Sequence, residues 1–261
     1  MSLLEKIEVA LTEAGKDPSA PTLSDLAGID QFHVRGADAI NDMIDEAGFR
    51  TGSHVVDIGC GSGGPARLLA AAVDCKITGY DMSQDAVALG NELSKRTGHG
   101  KRVGLSVADA CALPAPDEVY DAGWSIHVGM FIEQKDKFYG EAHRVLKPGS
   151  PFVIFDPVLS GAKDHGYPVP WARTPENNHI CTEDALLRDV EAVGFKVDRV
   201  IDRTADCADW FRARAAGAGS QPPPLGLHLV VGPEFPQMIK AAAEATLSEV
   251  IRFPEVHLIR P

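Results

Sequence analysis

The chain of 261 residues is long enough for one large α/β domain, or for a domain with a lid. A formal net charge of −12 at pH 7 argues against nucleic acid or an anionic membrane as the main partner, because both attract basic surfaces. The five cysteines are scattered and never spaced as CxxC, so they indicate neither a disulfide framework nor a zinc knuckle, and we expect a reduced, soluble, cytoplasmic protein.

The first fifty residues predict two helices separated by a loop. Apolar residues at positions 3, 4, 7 and 11 have helical spacing, and Gly15 would end that helix. The prolines and serine of residues 18–28 indicate a loop. A second helix is predicted from about Asp30 to Ala47, with Gly48 as its C-cap. Acidic residues interrupt the first apolar pattern, so we expect no signal peptide, and no run reaches the ~20 apolar residues of a membrane span.

From residue 54 onward, short apolar runs alternate with helical patterns. The predicted strands cover residues 54–58, 75–80, 102–107, 119–126, 151–156, 196–203 and 250–260. The predicted helices between them cover residues 65–72, 84–97, 135–146 and 182–195. Such an alternation favours a parallel sheet with right-handed crossover connections.

Two long stretches interrupt this alternation. Residues 157–181 are predicted to form a loop rich in proline, histidine and aromatic residues. Residues 204–249 contain two helical patterns, joined at 216–226 by a connection that is first rich in glycine and then in proline. Insertions of this length in a compact domain are usually functional lids or disordered segments, and the aromatic content of both favours lids.

The segment HVVDIGCGSGGPARLLA, residues 54–70, joins the first predicted strand to a glycine-rich turn and a helix. Gly59, Gly61 and Gly64 have the spacing of a dinucleotide-binding fingerprint. Asp57, however, lies two residues before the first glycine, where its carboxylate would repel a pyrophosphate and would need a cationic or hydrogen-bonding partner. The segment therefore favours a ligand that carries an ammonium group and no phosphate.

Several motifs in chain order resemble those of class I S-adenosylmethionine-dependent methyltransferases. They are VVDIGCGSGG, ITGYDMS, SVADACALP, VYDAGWSIHV and FYGEAHRVLKPGS. The flanking segments DQFHVRGADAINDMI, YPVPWARTPENNHICTEDALLRDVEAVGF, DWFRARAA and PPPLGLHLVVGPEFPQMI are similar to the branch of sarcosine/dimethylglycine N-methyltransferases and ubiquinone-biosynthesis-type methyltransferases. The resemblance implies an α/β fold with a Rossmann-like, seven-stranded, mostly parallel sheet, an antiparallel last strand and helical lid insertions.

The resemblance also implies how the domain is organised and what it binds. One methyltransferase domain would span residues 1–261, with covering helices in 1–50, a cofactor-binding core in 54–156, and lid insertions in 157–181 and 204–249. The implied cofactor is S-adenosyl-L-methionine, and the implied partner is a small-molecule substrate. We expect a monomer or homodimer without nucleic acid, membrane or metal partners.

The predicted cofactor site rests on the same resemblance. Asp57 would meet the amino-acid end of the cofactor, Asp81 its two ribose hydroxyls, and Asp109 its adenine amino group. His33 and Arg35 would lie on a covering helix, where Arg35 could pair with the methionyl carboxylate. The full set of predicted cofactor-binding residues is Gln31, His33, Arg35, Asp57, Gly59, Gly61, Asp81, Met82, Ala108, Asp109, Ala110 and Ser125.

His127 follows the fourth predicted strand and is the candidate catalytic base, although a strand-end histidine bonded to backbone is an equal alternative. The predicted substrate-binding residues are His165, Tyr167, Trp171 and His179. Their rings could hold a methylated ammonium by cation–π attraction, or could simply pack within the lid. Trp210 and Phe211 are expected in the core, and no histidine pair with metal-ligand spacing supports a metal site.

These features favour an enzyme that transfers the methyl group of S-adenosylmethionine to a small-molecule acceptor and releases S-adenosylhomocysteine. The acceptor atom would be an amine, a hydroxyl or an acidic carbon of an amino-acid-like or natural-product substrate. Two alternatives stay open: chemistry other than methyl transfer, such as cyclisation, and a catalytically silent binding subunit. A nicotinamide-dependent dehydrogenase is disfavoured by Asp57.

Overall fold

Seven strands form the central sheet of the computed structural model, which describes residues 1–161, 165–217 and 225–261. The strands are β1 (His54–Ile58), β2 (Lys76–Asp81), β3 (Val103–Val107), β4 (Ala122–Ile126), β5 (Pro151–Phe155), β6 (Val158–Leu159), β7 (Lys196–Asp202), β8 (Ile251–Arg252) and β9 (Pro254–Ile259). Their order in the central sheet is β3-β2-β1-β4-β5-β9-β7, and β6 pairs separately with β8.

The predicted fold class is confirmed. β1 is parallel to β2 and β4, β2 to β3, and β4 to β5, whereas β9 is antiparallel to both β5 and β7. Parallel strands end at the same edge of a sheet, and ligands of open α/β sheets bind outside that edge. The carboxyl ends of β1 to β5 therefore define one side of the molecule, called the carboxyl edge below.

Helices cover both faces of the sheet. They are α1 (Leu3–Glu13), α2 (Leu23–Asp30), α3 (Ala37–Ala47), α4 (Gly64–Ala72), α5 (Gln84–Arg96), α6 (Lys135–Val145), α7 (Glu183–Ala192), α8 (Thr204–Ala216), α9 (His228–Val231) and α10 (Phe235–Leu247). Successive strand residues point to opposite faces. Val55 and Trp124 accordingly pack with residues of α3, α4, α8 and α10, whereas Val56 and Phe152 pack with residues of α6 and α7.

The structure corrects the prediction for the N-terminal segment. Residues 18–28 are not wholly a loop, because Thr22 caps α2 and its hydroxyl accepts a hydrogen bond from the Asp25 backbone N–H. The single helix predicted from Asp30 to Ala47 is also wrong. Arg35 and Gly36 have φ values of +69° and +54°, which are incompatible with a right-handed helix, so residues 31–36 form a connection between α2 and α3.

Three predictions nearer the C-terminus also change. The strand predicted for 119–126 begins only at Ala122, and the strand predicted for 250–260 is divided at Phe253 into β8 and β9. Residues 204–249 contain a third short helix, α9, besides the two expected. The predicted connection at 216–226 lies largely outside the described residues. None of the helices described is both long and apolar enough to cross a bilayer.

A buried ion pair fastens the N-terminal segment to the sheet. Arg67 of α4 is fully buried, and its Nη2 donates to Asp30 Oδ1 at 2.5 Å, while Nη1 donates to the Gly90 carbonyl and to Ser94 Oγ. A Cβ atom on Gly64 would overlap the backbone of Asp30, so the glycine permits this close approach. The end of α2 is thereby held over the start of α4.

We predict that Asp30→Asn destabilises the protein by roughly 3–5 kcal/mol, because it leaves the Arg67 guanidinium buried without its counter-charge. Asp209→Asn, which removes the exposed ion pair with Arg212, is the matched control and should change stability by less than about 1 kcal/mol. Urea denaturation of both variants measures the difference. Equal, small losses would show that the buried pair does not fasten α2.

Candidate active site

A glycine turn follows β1 at the carboxyl edge. Gly59, Gly61 and Gly63 have φ values of +80°, +52° and +75°, which side chains rarely adopt. A Cβ atom on Gly59 would also overlap the Val128 side chain, which lies after β4. The backbone N–H of Gly59 donates to the Tyr80 carbonyl at 2.7 Å, so the turn is packed between β2 and the segment that follows β4.

The carboxyl group of Asp57 is buried directly before this turn. Asp57 is 2% exposed, and its Oδ2 atom has no hydrogen-bond partner among the described residues. Burial raises the pKa of this carboxyl group to about 7; the Trp124 indole opposes the rise, and the Asp81 carboxylate adds to it. A buried carboxylate oxygen without a donor is unfavourable. The position is therefore suited to a ligand that brings a cation or a hydrogen-bond donor.

Asp81 ends β2 and is held by backbone groups on both sides. Its Oδ2 accepts the Gly61 N–H at 2.8 Å, and its Oδ1 accepts the Ser83 N–H at 2.8 Å. Each carboxylate oxygen keeps further acceptor capacity. Because the side chain is partly exposed and already oriented, it can accept hydrogen bonds from a diol without losing much conformational freedom.

The remaining predicted cofactor residues of the core continue along the same edge. The Ala108 N–H donates to the Asp81 carbonyl at 3.0 Å, and Asp109 Oδ1 accepts the Cys111 N–H at 2.8 Å. Met82 is 74% exposed. The structure thus places eight of the predicted residues at the carboxyl ends of β1, β2 and β3, namely Asp57, Gly59, Gly61, Asp81, Met82, Ala108, Asp109 and Ala110.

His127 lies directly after β4 in the left-handed conformation, with φ +55°. Its Nε2 atom is buried and has no partner among the described residues, and its ring stacks near Phe253 at a centroid distance of 5.9 Å. Burial lowers the pKa of the imidazole well below 6.5, and His33 adds to the effect, so the ring is neutral at pH 7. Ser125 in β4 is fully buried, and its hydroxyl likewise has no described partner.

Gln31, His33 and Arg35 lie in the connection between α2 and α3, not on the covering helix predicted for them. His33 Nε2 lies 2.9 Å from Gln31 Oε1, and its ring centroid lies 6.0 Å from that of His127. Burial lowers the pKa of His33 to about 4. Arg35 Nη2 forms an ion pair with Asp42 at 2.6 Å, while its buried Nη1 has no described partner.

A cavity of about 290 Å³ adjoins the carboxyl edge at Gln31, His33 and His127. Asp38 and Arg214 are the ionised side chains that line it, and both belong to exposed residues. The rest of the lining is largely apolar and includes Met130, Trp171, Trp210, Phe211, Phe235 and Phe253. Trp210 and Phe211 therefore line this cavity as well as packing in the core, where we had expected them.

The predicted substrate-binding residues of 157–181 gather around Asn178. The Asn178 side-chain nitrogen lies 3.0 Å from His165 Nε2 and 2.9 Å from the Tyr167 hydroxyl. Trp171 Nε1 donates to Asn178 Oδ1 at 3.0 Å. Trp171 lines the cavity, whereas His165, Tyr167 and His179 are not among the lining residues, so the four do not form one aromatic cage.

A cluster of potential metal ligands is neutralised by hydrogen bonds from an arginine. One ligand atom each from Glu46, Glu255 and His257 lie within 4.8 Å of one another. Arg203 donates to Glu255 at 2.9 Å and to Glu46 at 2.7 Å, so its guanidinium already supplies the positive charge. We interpret this cluster as an ion-pair network that joins α3 and β9 through Arg203, the residue between β7 and α8.

Sequence reasoning missed two carboxylates that shape the site, Asp30 and Asp156. Asp156 directly follows β5, is 3% exposed, and accepts backbone N–H groups of Val128 and Gly129. Its signal in the sequence was the one that drew attention to Asp57, an acidic residue at the end of an apolar strand. Asp30 had no comparable local signal, because its partner Arg67 is distant in the chain.

Comparison with known proteins finds a domain match over the first part of the sheet. Residues 56–154 match the family described as "Methyltransferase domain". The sterol 24-C-methyltransferase of Yarrowia lipolytica is 28% identical over an alignment of 179 positions, which covers 63% of this chain and 45% of that protein. The chain spans at most half the length of the first curated relatives it matches, with coverages of 33%, 45% and 50%.

Two solved structures share the fold. The geranyl diphosphate C-methyltransferase of Streptomyces coelicolor A3(2), in complex with Mg²⁺, geranyl diphosphate and S-adenosyl-L-homocysteine, has a TM-score of 0.70 at 19% identity and covers 87% of this chain and 79% of that one. The 4+2 cyclase SpnF has a TM-score of 0.68 at 23% identity, covering 100% and 97%. Residues 56–154 thus match a methyltransferase domain, and these two structures share the Rossmann-like fold of the chain.

Proposed function

We propose that the chain binds S-adenosylmethionine at the carboxyl edge and transfers its methyl group to a small, largely apolar acceptor held in the adjoining cavity. The observation that carries this proposal is the buried Asp57 carboxyl group with a partnerless Oδ2, directly before the glycine turn. An ammonium group would satisfy it, whereas a pyrophosphate would be repelled.

Three carboxylates would hold the cofactor. Asp57 would accept the α-ammonium group, Asp81 the ribose hydroxyls through the acceptor capacity left beside Gly61 and Ser83, and Asp109 the adenine amino group. The bound cofactor supplies an electrophilic methyl group on a sulfonium. A side chain at Gly59 would overlap Val128, whereas a Cβ atom on Gly61 would meet no described atom within 4 Å, so there is space beside Gly61 for a ligand.

The cavity supports an apolar acceptor. Its walls are mostly aromatic and aliphatic, while Asp38 and Arg214 belong to exposed residues. Relatives named for methylation of sterols, which are largely apolar, and of geranyl diphosphate, which has an apolar prenyl chain, agree with an acceptor that has a large apolar part. An amino-acid-like acceptor has less support, because the interior offers no ionised side chain among the described residues except those two.

His127 is suited to act as the base for a hydroxyl or an acidic carbon. Its neutral ring has a partnerless Nε2, so this nitrogen can accept the acceptor's proton. The cavity walls would hold the acceptor against this nitrogen, and alignment accounts for a large part of such catalysis.

A second candidate is ring closure without methyl transfer. The structure of the 4+2 cyclase SpnF aligns over the whole of this chain. This likeness concerns the fold and not the reaction. Incubation with labelled S-adenosylmethionine and pooled sterols, isoprenoids, phenols and amines distinguishes the two. We expect S-adenosylhomocysteine and a product heavier by one methyl group from an apolar pool. A product of unchanged mass without S-adenosylhomocysteine would favour the cyclase.

We predict opposite effects of Asp57→Asn on stability and on ligand binding. In the unliganded protein the raised pKa means that folding loses stability as pH rises from about 4 to about 7, because only the unfolded chain ionises there. The variant lacks this loss and should be more stable than the parent at pH 8 by on the order of 1–4 kcal/mol. Its affinity for S-adenosylhomocysteine should fall by about 10–100-fold.

Adenosine is the matched ligand, because it lacks the amino-acid end. Adenosine should bind Asp57→Asn almost as well as the parent, whereas Asp81→Asn should weaken the binding of both adenosine and S-adenosylhomocysteine. Calorimetry and thermal unfolding measure these effects. If Asp57→Asn lowers the affinity for both ligands equally, Asp57 is a structural residue of the turn and does not bind the amino-acid end.

For His127 we predict a loss of rate without a loss of cofactor. Asn tolerates the left-handed backbone but is not basic, so His127→Asn should lower kcat by ~10²–10⁴ while S-adenosylhomocysteine affinity stays nearly intact. The parent's rate should be flat near pH 7 and fall in acid, because the pKa of His127 lies well below 6.5.

His99→Asn is the control, since His99 also has a lowered pKa but lies beside Thr97 at the end of α5. It should keep the parent's rate and pH profile. An unchanged rate in His127→Asn would remove His127 from the reaction.

A further inference from the structure

The left-handed conformation of His127 needs an explanation. A non-glycine residue in this region costs about 1–3 kcal/mol and persists only where its surroundings enforce it. The His127 N–H donates to the Phe155 carbonyl at 2.8 Å, which fixes one side of the residue to β5. The next two N–H groups, of Val128 and Gly129, also point toward the end of β5.

One carboxylate accepts hydrogen bonds from both of these N–H groups. Val128 N–H donates to Asp156 Oδ1 at 2.8 Å, and Gly129 N–H donates to Asp156 Oδ2 at 2.9 Å. A left-handed residue followed by a right-handed one, as at His127 and Val128, turns successive N–H groups into a concave anion site. Here the anion is a side chain of the protein itself. A Cβ atom on Gly129 would overlap Asp156 Oδ2, so only glycine permits this approach.

A lysine holds the other side of the same segment. Lys135 Nζ donates to the carbonyls of Gly129, Ile132 and His179, the last two at 2.6 and 2.9 Å. The N–H groups of residues 128–129 are thus bound by an anion and the carbonyls of 129 and 132 by a cation. His127, Met130 and Phe131 from this segment line the cavity.

We propose that Asp156 is a positioning residue for His127, and that its carboxylate enforces the left-handed turn that directs the imidazole toward the acceptor. Both Asp156 oxygens are occupied by backbone donors and Asp156 is not among the cavity-lining residues, so it acts through His127 and not on the acceptor. The activity part of this inference rests on the proposed methyl transfer; the structural part does not.

The test compares Asp156→Asn with Asp121→Asn in the full chain. Asp121 is the matched control, because its carboxylate also accepts a backbone N–H, from His54 at 2.8 Å, but at the amino end of β4. Amide exchange followed by NMR should be at least ~10-fold faster at residues 128 and 129 in Asp156→Asn, and unchanged there in Asp121→Asn. Unchanged exchange at 128 and 129 in Asp156→Asn would overturn the proposal.

The kinetic arm uses a double-mutant cycle. Asp156→Asn should lower kcat at least ~10-fold with nearly unchanged S-adenosylhomocysteine affinity, and should cause little further loss when His127→Asn is already present. If the fold-losses in kcat of the two single variants multiply in the double variant, Asp156 does not act through His127 and the proposal is overturned. If the parent transfers no methyl group, the proposed function fails while amide exchange still decides the positioning role. If Asp156→Asn does not fold, Gly129→Ala replaces it, because its Cβ displaces the same carboxylate.

Discussion

The site depends on one unfavourable burial, that of the Asp57 carboxyl group at the end of the central strand β1. No described residue donates to its Oδ2, although most buried polar atoms in proteins have partners. The group is buried beside the glycine turn, where we propose that the amino-acid end of the cofactor binds. A ligand that brings an ammonium group would supply the missing partner, and binding would then relieve a cost built into the unliganded fold.

Neighbouring elements pack around the glycine turn that follows Asp57. The Asp30–Arg67 pair holds the end of α2 over α4, and the connection after α2 brings His33 to within 6.0 Å of His127. On the other side, Val128 packs against Gly59, so the segment after β4 contacts the glycine turn directly. The segment that carries the candidate base therefore packs directly against the turn expected to carry the cofactor.

Local patterns predicted the sheet well because its strands are short apolar runs ended by glycine or acidic residues. Asp57, Asp81 and Asp109 could be placed at one edge because each lies near the end of a predicted strand and the family resemblance assigned each of them to the cofactor. The connection at 31–36 could not be predicted, because Arg35 adopts a left-handed conformation that arginine rarely takes. The roles of His165 and Tyr167 also depended on tertiary contacts, since their shared partner Asn178 competes with any ligand for their polar atoms.

The central claim, that a ligand ammonium completes the Asp57 carboxylate, is tested most directly by counting protons. Calorimetric titration with S-adenosylhomocysteine at pH 6, in two buffers of different ionisation enthalpy, measures the protons released on binding. Because the pKa of Asp57 is about 7 in the unliganded protein, binding should ionise it and release most of one proton, and Asp57→Asn should release none. Binding without proton release in the parent, or the same release in the variant, would contradict the account.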